Sequence, residues 1–244
     1  RLEADRQKKL RFLAACLYLV PVLYLSRNAG ATIMVLLFVP LILFFSARTQ
    51  MMIAGIFAAI ILVYPLARAN HLIPIDSIVS AAQAISPERA QSLEYRLRNE
   101  EMLLTRASEK PWTGWGTYGR QRVYDPTTGR DLSGTDGSWI ISIGVAGWLG
   151  YAALFGTICL PTILSAIRKR QSSLINGGIA IMLTANLIDL IPNSSLMSLT
   201  FILAGLLWGR SVLRPKSDPG ISDQRRSTTS AEMRKRHFHR VVKI

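Results

Sequence analysis

Two charged residues share a predicted helix face or a run of sequence with apolar residues. Arg96 lies on the apolar face of a predicted helix, and Asp189 lies inside an apolar run shortly before Pro192. Burying an unpaired charge is costly, so Arg96 must be paired or must face a polar cavity. An acid within a membrane segment is a functional candidate by default, although Asp189 near the end of its run can also be an interfacial side chain that reaches outward. Arg96 is therefore a candidate for binding an anion, and Asp189 is a supporting candidate that could pair with Arg27.

The helix that carries Arg96 has clear start and stop signals. Ser86-Pro87 suits a helix start, and no proline or glycine follows until Pro111, which predicts a helix over about 87–109. Arg96 and Glu100 share one arc of its helical wheel, so a structural ion pair between them is the alternative to anion binding by Arg96. The apolar residues of the same arc make the helix amphipathic: they are Leu93, Leu97, Leu103, Leu104 and Ala107.

Six apolar runs organise the chain, at residues 10–25, 29–46, 51–66, 139–164, 174–191 and 196–213. Most of them reach or approach the length of about 20 residues that a helix needs to cross a hydrocarbon core. The sequence therefore predicts an all-α, polytopic transmembrane bundle of about six helices. Three helices lie in residues 1–66 and three in 138–213, one large external loop covers 67–137, and a basic tail covers 214–244.

Basic residues give the expected orientation. The chain has 29 lysines and arginines against 15 acidic residues, a formal charge of +14. The short connections at Arg48 and at 168–170 are basic, which puts them, and both ends of the chain, in the cytoplasm. The charge flanks apolar runs and has no nucleic-acid-binding signature, so the expected partner is the lipid bilayer and no nucleic acid. The tail is expected to be disordered; it can be attracted to anionic headgroups, although a solvated cytoplasmic end without a specific function is the favoured interpretation.

The cysteines and the first residue allow two further expectations. Cys16 and Cys159 both lie in apolar runs and have no metal-ligand spacing, so we expect neither a disulfide nor a metal, and no other cofactor. The chain begins at Arg1 rather than at methionine, and we expect it to be the C-terminal portion of a longer protein.

Several short patterns resemble those of the O-antigen ligase and polysaccharide polymerase superfamily. Ser26-Arg27 precedes an apolar helix, as a Ser-Arg pair does in that family. Arg96 is followed fifteen positions later by Pro111 and then by Gly114-x-Gly116, which resembles the family's succession of arginine, amphipathic helix, proline and Gly-x-Gly. This second match is the most specific one.

Two more patterns of this family lie near the two ends of the loop. Asp136 is followed by ten residues and Gly147, which resembles a spacing that the family has between a histidine and a glycine. Arg89 and Leu93 have the Arg-x-x-x-Leu spacing of ligase loops. Because an aspartate stands where the ligases have histidine, a carboxylate takes that role, or the chain is a different branch, or its activity is lost.

The resemblance implies a membrane glycosyltransferase of the bacterial inner membrane that acts at its periplasmic face, as a polysaccharide polymerase or as an O-antigen ligase. Its donor would be a glycan on undecaprenyl diphosphate, and its acceptor a glycan or the lipid A core. The missing histidine favours the polymerase slightly. A transporter or flippase, or an inactive scaffold that binds glycan, is the alternative.

The same resemblance selects the candidate site residues. Arg96 and Arg27 would hold the diphosphate and stabilise its developing charge, while Asp136 would accept the proton of the acceptor hydroxyl. Against these roles, Arg27 can simply anchor a helix end, and Asp136 can cap the helix that follows. The supporting candidates are Glu100, Asp189, Arg89, and His71 as a replacement for the missing histidine.

Overall fold

The computed structural model describes residues 2–134, 136–167, 173–194 and 196–212, and all the regular structure within these ranges is helical. One isolated antiparallel bridge joins Tyr124 to Asp131. The all-α prediction is therefore confirmed. The basic tail at 214–244, with its predicted disorder, lies outside the described residues. The helices are α1 Leu2–Leu25, α2 Ala29–Phe44, α3 Ala47–Ala69, α4 Ile75–Ile85, α5 Pro87–Ser108, α6 Ser138–Ile167, α7 Leu174–Asp189 and α8 Ser198–Val212.

Two of these helices are long and apolar enough to cross a membrane. They are α3, with 23 residues, and α6, with 30 residues. At 1.5 Å per residue α3 is about 34 Å long, which exceeds the thickness of a hydrocarbon core of about 30 Å. The apolar parts of the other predicted membrane helices are shorter in the structure: Leu13–Leu25, Gly30–Phe44, Leu174–Asp189 and Ser198–Arg210.

The core forms where α3 packs against α6 and α7. Small residues permit this close approach: a Cβ atom built on Gly55 of α3 would lie 2.4 Å from the Cβ atom of Ala166 in α6. On α7, Thr184 is fully buried and its hydroxyl donates to the carbonyl of Ala180, so it brings no unpaired polar group into the core.

A buried amide closes the corner between α2 and α3. Gln50 is 1% exposed, and its Nε2 donates to the carbonyl oxygens of Leu41, Ile42 and Phe45 at 3.3, 3.0 and 2.9 Å. The last carbonyls of a helix have no partner within the helix. Gln50 supplies that partner, so the corner can be tight without leaving polar backbone unsatisfied.

The segment 67–137, for which the sequence predicted an external loop, contains one helix more than expected. The helix α5, Pro87–Ser108, corresponds to the predicted segment 87–109, whereas α4 was not predicted. With 11 residues, α4 is too short for its periodicity to stand out between Pro74 and Ser86. Its hydrophobic face is nevertheless well defined, and part of it packs against α5.

Candidate functional site

A cavity of about 1040 Å³ lies between α2, α3, α5 and α7. The lining residues Met34, Phe57 and Ala185 lie deeper in α2, α3 and α7 than the polar ones do, and three more apolar lining residues lie near the end of α7: Ile188, Ile191 and Pro192. The polar residues gather where α2 begins and where α3 and α7 end: Asn28, Tyr64, Arg96, Asn186, Asp189 and Asn193. Two of the residues selected from the sequence, Arg96 and Asp189, therefore line one cavity that is polar at one end and apolar at the other.

Arg96, one of the residues that line this cavity, faces Asp136. The Nε atom of Arg96 lies 3.8 Å from Oδ2 of Asp136, and its Nη1 donates to the carbonyl of Pro192 at 3.5 Å. Both side chains of the ion pair are about half exposed, at 42% and 51%. A long, solvated pair of this kind contributes at most about 1 kcal/mol to stability. It therefore leaves the guanidinium able to exchange its partner for another anion.

Asp136 does not cap the helix that follows it. Helix α6 begins at Ser138, so Gly137 is the residue directly before the first helical one. The backbone N–H of Ser138 donates to the carbonyl oxygens of Leu190 and Asn193, at 3.0 and 3.1 Å. Among the described residues, the partner of the Asp136 carboxylate is Arg96.

The turn that ends α7 holds both members of this pair in position. Its Pro192 carbonyl accepts from Arg96, and its Asn193 carbonyl accepts from the hydroxyl of Ser138 at 3.0 Å, two residues after Asp136. Asp189 is part of the same turn, because the Nδ2 of Asn193 donates to its Oδ1 at 2.7 Å. The predicted residues from three distant parts of the chain thus converge on residues 189–193.

Glu100 has a different partner from the one expected. Its Oε2 lies 3.4 Å from the Nε of Arg68, a residue at the end of α3 that is only 1% exposed. The hydroxyl of Tyr64 also donates to this carboxylate, at 3.3 Å. Burial raises the pKa of Glu100, and Arg68 opposes that rise. The interpretation of Arg96 and Glu100 as a structural ion pair was therefore wrong, because Glu100 points toward α3.

Arg68 joins the end of α3 to α5 through several contacts. Besides Glu100, its guanidinium reaches the Leu97 carbonyl at 3.2 Å and a Glu101 carboxylate oxygen at 3.5 Å. Arg68 was not among the predicted site residues, because it follows the third apolar run, which was predicted to end at residue 66. The buried positions of α3 provide a signal that extends to it, because they recur at helical spacing: Ala54, Ala58, Ile61, Pro65 and Arg68.

Replacing Arg68 with alanine is expected to lower the free energy of unfolding by about 3–5 kcal/mol, because it leaves the buried Glu100 carboxylate without its cation. Arg98→Ala is the matched control: Arg98 is 79% exposed and pairs with Glu94 on its own helix, which is worth about 0.3–0.5 kcal/mol. Denaturant unfolding of the full-length protein in detergent measures both. Equal losses of unfolding free energy in the two variants would contradict a stabilising role for the contact between Arg68 and Glu100.

The remaining candidates lie outside this arrangement. Arg27 is exposed in the turn between α1 and α2 with a φ of 50°, and it is the neighbouring Asn28 that lines the cavity. His71 is 75% exposed and lies 3.8 Å from Glu101, at the end of α3, so the structure does not bring it to Asp136. Arg89 belongs to α5, but its side chain lies outside the described residues.

The Gly-x-Gly segment of the loop pairs with a break in α6. At Gly147 the backbone leaves the helical conformation, with φ 67° and ψ −173°. The N–H groups of Trp115 and Gly116 donate to the carbonyls of Gly144 and Val145, both at 2.8 Å, and the N–H of Trp148 donates to the Pro111 carbonyl at 2.7 Å. Backbone groups that a broken apolar helix exposes must be satisfied by protein. Here the loop segment 111–116 satisfies them.

Trp115 fixes this segment to the end of α5. Its ring lies 3.5 Å from the guanidinium carbon of Arg106 and 4.3 Å from the ammonium nitrogen of Lys110, measured to the ring centroid. Its indole N–H also donates to the Arg106 carbonyl at 3.0 Å. Helix α5, which carries Arg96, is thereby tied through residues 111–116 to α6, which follows Asp136.

Neither a family model, nor a curated protein, nor a solved structure matches this chain. The part of the chain that the structure describes has no group of three histidine, cysteine or acidic side chains able to hold a metal ion. An assignment of function must therefore rest on the geometry of the cavity and of the Arg96–Asp136 pair.

Proposed function

We propose that this protein is a membrane glycosyltransferase that uses glycans linked to undecaprenyl diphosphate. The observation that carries the proposal is the position of Arg96, which lines a cavity with an apolar deep end and has an aspartate as its exchangeable partner. A lipid with an anionic head matches both features, because its tail suits the apolar part and its diphosphate suits a guanidinium. The resemblance of the loop to the polymerase and ligase superfamily selects the same arginine.

The proposed topology has six membrane helices. They are α1, α2, α3, α6, α7 and α8, with both ends of the chain in the cytoplasm of a bacterium and the segment with α4 and α5 in the periplasm. The exposed apolar side chains support a lipid environment, since soluble proteins rarely expose such surfaces. Leu36 and Phe44 of α2 are 70% and 80% exposed, and Leu149 of α6 is 60% exposed. The polar end of the cavity would then lie at the periplasmic side.

In the proposed reaction the diphosphate of the donor binds Arg96 and displaces Asp136 from it. The freed carboxylate accepts the proton of the acceptor hydroxyl. The acceptor oxygen forms a bond with the anomeric carbon as the bond from that carbon to the diphosphate oxygen breaks. The lipid diphosphate leaves with the electron pair, and Arg96 stabilises its negative charge. Arg27, next to Asn28 of the cavity, is the proposed second contact of the diphosphate.

The acceptor decides between the two forms of this activity. If the acceptor is a repeat unit on a second molecule of undecaprenyl diphosphate, the protein is a polymerase. If the acceptor is a lipid A core, it is a ligase. The aspartate at position 136, where ligases have histidine, slightly favours the polymerase.

A transporter is the second candidate, because broken membrane helices and intramembrane acids are typical of transporters. Helix α6 is broken at Gly147, and Asp189 lies at the end of an apolar helix. Against a transporter, the loop segment 111–116 pairs with the backbone at the break, so those groups do not face a substrate. A third candidate, a scaffold that binds lipid-linked glycan without turnover, shares the cavity.

One reconstitution separates the three candidates. The full-length protein is placed in sealed vesicles with a glycan-linked polyprenyl diphosphate donor and an acceptor, and the free lipid diphosphate and the glycan product are measured. We expect both to accumulate. Passage of the donor across the vesicle without bond cleavage would identify a transporter, and binding with neither turnover nor passage would identify a scaffold.

A further inference from the structure

Helix α4 has an apolar strip that no described helix covers. At 100° per residue, Ile78, Ala81 and Ile85 fall within one arc of about 60°. Ile78 is 42% exposed and Ile85 is 87% exposed. The other side of α4 faces α5, with which it forms a cleft lined by Ile75, Val79 and Ser80 from α4. The strip therefore points away from the rest of the loop.

The strip is uncharged, and Asp76, the one charged residue of α4, lies on the side of the cleft. A helix that is apolar on one side and polar on the other, and that joins a membrane helix directly, is suited to lie in the plane of a membrane interface. In a soluble helix a strip of this kind would be covered by protein.

The connection to α3 keeps α4 close to the end of a membrane helix. The N–H of Leu72 donates to the carbonyl of Ala67 at 2.9 Å, so the chain turns back directly after α3 ends at Ala69. From Leu72 only two residues, Ile73 and Pro74, precede the first residue of α4. A connection of this length spans about 10 Å at most. Leu72 itself is 73% exposed and adds to the apolar surface at this point.

We propose that α4 is an interfacial helix, with Ile78, Ala81 and Ile85 inserted into the outer leaflet of the lipid bilayer. This inference rests on the proposed membrane topology, and it goes beyond the proposed reaction. Since α5 packs against the opposite side of α4, the position of α4 in the bilayer also fixes the distance of α5 from the membrane surface. Arg96 would be held at the level of lipid headgroups, where a lipid diphosphate lies.

Nitroxide labels on single cysteines test this inference in the full-length protein, reconstituted in liposomes. The exposed Cys16 is replaced by serine, the buried Cys159 is kept, and a sample without an introduced cysteine measures background labelling. Labels are placed at Ile78→Cys and Ile85→Cys. Gln83→Cys, on the polar side, is the water-exposed control, and Ile56→Cys, 57% exposed in α3, is the lipid-exposed control. Collisions with oxygen report lipid, and collisions with a neutral nickel chelate report water.

We expect the ratio of oxygen to nickel collisions at positions 78 and 85 to match that at position 56 and to exceed that at position 83 several-fold. Nickel access at 78 and 85 equal to that at 83 would overturn the inference, and so would protection from both reagents, which means that protein covers the strip. Nickel access at position 56 would reject the membrane topology itself. Lipid exposure at 56, 78 and 85 without turnover of a lipid-linked donor would reject only the transferase function.

Discussion

Cells that depend on the full-length protein carrying Arg96→Ala are expected to lose their surface glycan or to make it shorter. Among the described residues that line the cavity, Arg96 is the one with a cationic side chain, and the variant removes it. Losing one donor that stabilises a developing negative charge typically costs about 10²–10³-fold in turnover. Glycan length on gels measures the effect, once each variant is shown to reach the membrane at normal abundance.

Two further substitutions at the same pair separate charge from geometry and binding from proton transfer. Arg96→Lys keeps the positive charge but loses the planar guanidinium, which can bind two phosphate oxygens at once. If that geometry is needed, this variant should make less glycan than the unmodified protein, as Arg96→Ala does. Asp136→Asn keeps the shape but cannot accept a proton, and glycan should again be lost. Arg98→Ala, a change on the exposed side of the same helix, should leave glycan normal. Normal glycan in all the variants of Arg96 and Asp136 would reject the assignment of this site.

Gly147→Ala is expected to destabilise the folded protein strongly, because both the backbone conformation and the space at this position require glycine. Its φ of 67° with ψ −173° belongs to a region that is essentially restricted to glycine. A Cβ atom there would also lie 2.3 Å from the backbone carbon and oxygen of Trp112. Strain and overpacking together amount to a loss on the order of 3–5 kcal/mol. Thermal unfolding in detergent, monitored as the loss of monodisperse protein, measures it.

Gly178→Ala provides the matched control for this prediction. Gly178 lies inside α7, and a Cβ atom there meets nothing within 4 Å. Alanine is the better helix former by about 1 kcal/mol, so this variant should unfold at the same temperature or higher. If Gly147→Ala unfolds together with Gly178→Ala, the break in α6 is not a fixed feature of the folded protein.

The parts of the fold that depend on local signals could be read from the sequence. The start of α5 follows from Ser86-Pro87, and Pro111 ends the stretch in which a helix can run. Helix α4 was not predicted because its 11 residues make only three turns, too few for its apolar face to stand out between Pro74 and Ser86. The break at Gly147 could not be predicted either, because Gly144, Gly147 and Gly150 look alike until the loop segment 111–116 selects one of them.

The partners of the charged residues could not be predicted from spacing along one helix. Glu100 is one turn from Arg96, yet it pairs with Arg68, because the end of α3 places the Arg68 guanidinium against that side of α5. Asp136 is forty positions from Arg96 and contacts it only because both are positioned by the end of α7. The sequence could therefore nominate Arg96 and Asp136 separately, whereas their contact is a property of the tertiary structure.

The turn at the end of α7 binds two side chains that come from different helices, Arg96 of α5 and Ser138 of α6. Pro192 and Asn193 offer backbone carbonyls, which no side-chain substitution can remove, to Arg96 and to Ser138. If α7 tilts or shifts, both attached groups are carried with it. The spacing between the guanidinium and the carboxylate is then insensitive to rigid-body motion of the bundle, so in the proposed topology a change in membrane thickness would leave the internal geometry of the site unaltered.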